Sequence, residues 1–265
     1  MWRIFKIYSA YFARFVQARL AYKGDFIAEL FATMVVTLTG LLYILLLLDG
    51  ETITSLRGWS RDEVLFVYGY SLMPTALFNL LGPNLYQFGD KYIIQGQFDR
   101  VLLRPLSSLA QVLCESFNLE SIANLVVGIA VLLWSSHHVG IHFGFLDYVW
   151  ILISTISGAV ILLSVFILLS SLSFHFEDRV GVAPPFYNLI MFGRYPVTIF
   201  NSVLQFILSW VVPFAFIAFY PSTRFLGRDG FMGYCYATPL VALVCFGIAN
   251  FFWGFGVKRY ASAGN

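Results

Sequence analysis

Charge is what this chain has least of: only 11% of its 265 residues are Asp, Glu, Lys or Arg, against roughly 25% in soluble domains. With 59% hydrophobic residues and a mean hydropathy of +0.79, a soluble fold of this size has nowhere to hide its apolar surface. A bilayer must solvate it. The signatures of resident chemistry are missing too. There is no GxxxxGK[ST], no GxGxxG behind a strand and no HExxH, so the chain brings no nucleotide-binding loop and no zinc-protease helix. Cysteine is limited to Cys114, Cys235 and Cys245, scattered through apolar runs without CxxC spacing. They read as small core hydrophobes rather than a disulfide framework or a metal site. Ser, His and Asp occur, but nothing places them as a triad. Arg3, Lys6, Arg14, Arg19 and Lys23 break up any signal-peptide core in residues 1–23.

What remains is a succession of long apolar runs without period-two alternation, which predicts an all-α integral membrane protein forming one transmembrane domain over 1–265. Residues 2–23 read as an amphipathic interfacial helix, with Phe5, Tyr8, Phe12 and Phe15 on one side and Arg3, Lys6 and Arg14 on the other. They serve equally as a lead-in to the first span. Six transmembrane helices follow, at about Phe26–Leu48, Val64–Leu81, Val112–Trp134, Tyr148–Phe174, Val197–Tyr220 and Tyr234–Val257. Each has roughly the length that crosses 30 Å of hydrocarbon at 1.5 Å per residue. A connecting helix is expected over Phe186–Tyr195.

Lys and Arg set the orientation. With the N-terminus inside, Arg3, Lys6, Arg14, Arg19, Lys23, Lys91, Arg100, Arg104, Arg179, Arg194, Lys258 and Arg259 face the cytoplasm. Only Arg57, Arg61, Arg224 and Arg228 face the other side, which places both termini in the cytoplasm.

The longest polar interruption, residues 84–110, lies between the second and third spans and carries Asp90, Lys91, Asp99, Arg100 and Arg104. Apolar positions alternate there with charges, suggesting one or two short amphipathic helices on the inner face, closed by Pro105. An ordinary solvated connector is the alternative, although hairpin connectors usually run two to eight residues.

Within it, Gly96-Gln97-Phe98-Asp99-Arg100-Val101-Leu102-Leu103-Arg104-Pro105-Leu106 resembles the G-x-hydrophobic-D-x-x-L-x-R-P stretch of ABC-2 type transporter permeases, in particular a six-span branch that pairs with a separate ATPase. Tyr195-Pro196-Val197 followed by Val212-Pro213-Phe214-Ala215-Phe216 and Tyr220-Pro221 resembles a second motif of that branch. The stretch from Trp253 through Arg259-Tyr260 to Gly264 resembles a third.

The resemblance implies a type V-like export permease in the bacterial plasma (inner) membrane, dimerising with itself or a sister permease on two ATPase subunits. ATP and magnesium would sit on the ATPase, leaving no cofactor in this chain and no role for nucleic acid. Residues 84–110 would be the coupling element, with Gly96, Gln97, Phe98, Asp99, Arg100, Leu103, Arg104 and Pro105 at the ATPase contact. Glu177, Asp178 and Arg179 form a candidate second contact, or a solvated turn.

Glu115, Glu120 and Asn124 fall in the inner half of the third predicted span, where charge is costly in lipid. They line a translocation path or dimer interface, or tie the span to its neighbours; Asn79, Asn201 and Gln205 carry the same ambiguity. His137, His138 and His142 fit an exposed loop better than a metal site. A lipid-modifying membrane enzyme or a secondary transporter remains the rival reading, although deep charges are few.

Overall fold

The computed structural model describes residues 2–48, 55–175 and 183–261, and every regular element among them is helical. In chain order these are α1 (Trp2–Ala21), α2 (Lys23–Leu47), α3 (Arg61–Leu81), α4 (Pro83–Tyr86), α5 (Phe98–Leu102), α6 (Ser108–Glu115) and α7 (Ser121–Val139). There follow α8 (Phe145–Leu172), α9 (Ala183–Leu189), α10 (Ser202–Phe206), α11 (Phe219–Thr223), α12 (Met232–Cys235) and α13 (Thr238–Arg259). Five of them, α2, α3, α7, α8 and α13, are long and apolar enough to cross a membrane.

The hub is α3, whose apolar stretch is 78% buried, against 11% for α2 on the outside. It starts at a capping box. Ser60 Oγ accepts the Glu63 N–H at 3.3 Å, and Glu63 Oε2 accepts the Ser60 N–H at 2.8 Å. Replacing Ser60 with Ala is expected to cost about 1 kcal/mol, readable as a lower thermal midpoint in detergent. Against α3 packs α7, through glycines that let the backbones meet. A Cβ built on Gly69 falls 2.8 Å from the Leu132 backbone nitrogen, and one on Gly128 falls 2.8 Å from Leu72 Cβ. Lipid offers no hydrophobic reward for burying one apolar helix on another, so such close van der Waals contact is what associates them.

The structure corrects the predicted third span. Its long helix begins only at Ser121 and runs to Val139, while α6 is a separate short helix. Between them Ser116 is extended, the Asn118 N–H donates to the Leu80 carbonyl at 3.1 Å, and Asn118 Oδ1 caps the Ser121 N–H at 3.0 Å. A short polar side chain that bonds nearby backbone competes with the helix ladder and ends it. His137 and His138 accordingly belong to the last turn of α7, with only His142 in the loop. No cluster of metal-ligating side chains occurs among the described residues.

The predicted fifth span, Val197–Tyr220, is also corrected: no single helix covers it. Trp59 Nε1 donates to Thr198 Oγ1 at 2.7 Å and Arg57 to the Phe200 carbonyl at 3.1 Å, fixing residues 198–200 at the start of α3. The Tyr187 ring meets Tyr86 at 5.0 Å, beyond the other end of α3. Residues 187–198 therefore run the length of α3 in short turns.

Residues 202–223 then form a hairpin that dips into the bundle, with Ile217 beside Gly158 and Pro74, and returns. Trp150 Nε1 donates to the Pro221 carbonyl at 3.3 Å; Arg224 pairs with Asp147 at 2.6 Å and Arg228 with Glu63 at 2.9 Å. Pro213 supplies no N–H and holds Val212 extended, so the helix breaks there. Phe214 through Thr223 are all buried in protein, the condition under which irregular backbone is tolerated at membrane depth. Asn201 is the N-cap of α10, accepting the Leu204 N–H at 2.9 Å, and Gln205 donates to the Phe200 carbonyl.

Candidate functional site

The polar segment between α3 and α7 is an ordered platform rather than a loose connector. Gly82 ends α3, α4 follows, and Phe88–Ile94 forms a π-helical turn before α5 and α6. Gly96 joins the π-helical turn to α5 at φ +66°, the left-handed region that a side chain disfavours. Its aromatic residues face inward. Phe88 stacks on Tyr92 at 5.2 Å, and Phe98 meets Phe174 of the α8 end at 5.1 Å and Tyr260 past α13 at 5.0 Å. Phe88 also packs on Trp253 of α13 at 5.0 Å, and the Trp253 indole donates to Ser108 Oγ at 3.1 Å. The segment is thus clamped to the ends of two spanning helices.

Polar bonds finish the platform. Glu115, which ends α6 and is not part of α7, accepts Tyr92 OH at 2.5 Å, pairs with Arg100 at 2.6 Å and lies 3.7 Å from Lys91 Nζ. Burial and this carboxylate raise the Tyr92 pKa, which keeps the phenol protonated as the donor. Gln111 Nε2 donates to the Val101 and Leu106 carbonyls at 3.0 and 3.1 Å, and Asn84 Nδ2 to the Val112 carbonyl at 2.7 Å. From the other side α1 reaches in. Phe12 and Phe15 pack on Phe117 at 5.0 and 5.5 Å, Arg104 donates to Tyr11 OH at 2.8 Å, and Arg19 Nε donates to Glu120 at 2.8 Å.

The residues singled out from sequence therefore divide into two groups. Phe98 is fully buried, and Asp99 and Gln97 are half-buried against the platform. Arg100, Leu102, Leu103, Arg104 and Pro105 are exposed, and Leu103, at 86%, is the most exposed large hydrophobic residue in the described chain. Glu120 sits in the turn before α7, bound to Arg19 of α1, and Asn124 is hydrogen-bonded to Thr37 of α2. Glu177, Asp178 and Arg179 lie outside the described residues, as do 49–54 and 262–265.

A second feature is a cleft of about 520 Å³ between α2, the end of α3, the start of α7 and α9. Asn79, Asn124 and Arg194 line it. Arg194, grouped from sequence with the inner loops, instead stands 6.0 Å from the Tyr68 ring, partway along α3. It is the only charged residue between positions 180 and 223, and that isolation was the available signal.

No curated protein and no solved structure matches the chain. A family model described as ABC-2 family transporter protein does, across residues 34–264, a stretch that takes in the platform, the α9–α11 region and α13. That breadth settles the affiliation: the chain belongs to the ABC-2 family of transporter proteins, the membrane permease components of ABC transporters.

Proposed function

We propose that this permease is the membrane half of an ATP-driven exporter, and that the platform from Pro83 to Glu115 is where its ATPase docks. One observation carries the reading: Leu103 stands exposed on a tip whose base, Phe98 and Val101, is buried and cross-braced. An apolar side chain held out rigidly beside Arg100, Arg104 and Pro105 suits a groove on another protein. The ATPase, which binds ATP and magnesium, would press on this tip as its two subunits close.

Phe98 would carry the load to Phe174, just past α8, and to the end of α13, and Arg104 and Glu120 would carry it to α1. ATP thereby biases a two-state membrane element through a rigid contact. In this reading the platform, α1 and the end of α13 lie in the cytoplasm, and the Arg224–Asp147 and Arg228–Glu63 pairs close the opposite face of a bacterial inner membrane. A second permease, identical or related, covers part of the apolar face that α2 leaves exposed. Glu177, Asp178 and Arg179 are retained as a second ATPase contact.

Co-purification tests the docking site. Leu103→Asp combined with Arg104→Ala is expected to abolish recovery of the ATPase with the tagged permease while lowering its thermal midpoint only slightly, through loss of the exposed Arg104–Tyr11 bond; full recovery and ATPase coupling in the double variant would refute the assignment.

A further inference from the structure

The cleft between α2, α3, α7 and α9 is chemically one-sided. Arg194 is the only charged residue among those that line it. Its Nε is buried without a hydrogen-bond partner, and no carboxylate among the described residues lies within ion-pair distance of its guanidinium. A cation at membrane depth is costly unless something neutralises it. The neutral groups around it lean the same way. Asn118 Oδ1 accepts the Ser121 backbone N–H at 3.0 Å, which can only donate, so the amide is oriented and its NH2 is the half left over. Asn79, which also lines the cleft, bonds Tyr86 OH at 3.1 Å through its amide oxygen.

The α2 wall is mixed: Ala32 and Val36 line the cleft beside Thr33 and Thr37, and Val36, with Phe31 and Val35 of the same helix, is exposed. We infer that this cleft binds the anionic headgroup, phosphate or carboxylate, of an amphiphile, with Arg194 as counter-charge, Asn79 and Asn118 as donors, and the hydrocarbon chain along α2. A planar fork of N–H donors suits such an oxyanion. As a statement about cargo this rests on the transport reading; as a statement about binding it stands alone.

The test uses the full chain in a neutral maltoside detergent, without ATPase, so that its outcome is independent of coupling. Dodecyl phosphate is expected to raise the thermal midpoint with concentration, whereas dodecyltrimethylammonium is not. Arg194→Gln should weaken dodecyl phosphate binding by at least about tenfold, a change that a positional role alone would not confine to anions. Arg194→Lys should retain most of it. Asn118→Asp, which keeps the cap on Ser121 but adds a negative charge, should weaken it without touching Arg194. Inorganic phosphate distinguishes the sources: failure to stabilise assigns the site to a lipid-like headgroup, and stabilisation that depends on Arg194 overturns the amphiphile in favour of a free anion. Equal binding of dodecyl phosphate by wild type, Arg194→Gln and Asn118→Asp, or equal binding of the cationic amphiphile, overturns the proposal altogether.

Discussion

Phe98→Ala is expected to cost about 3–5 kcal/mol, the range for deleting a fully buried aromatic ring. The ring sits between Phe88, Phe174 and Tyr260, so its loss leaves a hole where three elements meet. A lower thermal midpoint and faster proteolysis between residues 95 and 107 would report the loosened platform. The ATPase should still bind, because Leu103 and Arg104 remain, yet its hydrolysis should no longer drive transport. Leu103→Asp predicts the opposite pattern: a stable permease that does not bind at all. The pair separates anchoring from docking, and equal effects on binding and stability in both variants would mean that the two roles are not divided as described.

Gly69→Leu is expected to be more damaging still, because the obstruction is backbone. The Leu132 nitrogen lies 2.8 Å and the Gly128 carbonyl oxygen 3.1 Å from where a Cβ would stand, so α3 and α7 have to separate along their whole contact. Overpacking of this kind costs about 1–3 kcal/mol even for one or two added carbons, and leucine adds four. The central helix of the bundle would lose its closest neighbour. Size-exclusion profiles in detergent should show aggregation or loss of the folded peak, with Gly69→Ala intermediate. A normal profile and midpoint for Gly69→Leu would show that the interface has room that the structure denies.

The spans that sequence resolved well were those whose residues face lipid or apolar neighbours over their full length. The predicted Phe26–Leu48, Val64–Leu81 and Tyr148–Phe174 fall within a few residues of α2, α3 and α8, because continuous hydropathy has one cheap solution in a bilayer. It failed where the same hydropathy has a second solution. Residues 197–223 are apolar enough to read as a span, but burial inside protein lets Val212-Pro213 break the helix, and composition does not tell protein from lipid. The third span misled for a smaller reason: Asn118 looks like a polar guest in a helix, and only its bonds to Leu80 and Ser121 reveal a cap.

At the platform, the residue types were legible and their division of labour was not. Phe98 and Leu103 are both apolar and five positions apart, and nothing local says that one is buried and the other fully presented. Glu115 and Glu120 read as charges within one span; their partners, Arg100 and Arg19, lie 15 and 101 positions away. A charge tally assigns every cation to a loop, Arg194 included, although it lies against α3 beside Tyr68.

The docking of an ATPase on the exposed tip is the central claim, and a photo-crosslinking amino acid at position 103 tests it most directly. In membranes that contain the assembled transporter, the probe should form one major adduct, with the ATPase, and one at Val36 on the exposed face of α2 should not. Crosslinks from position 103 to lipid alone, in a transporter that hydrolyses ATP normally, would contradict the account.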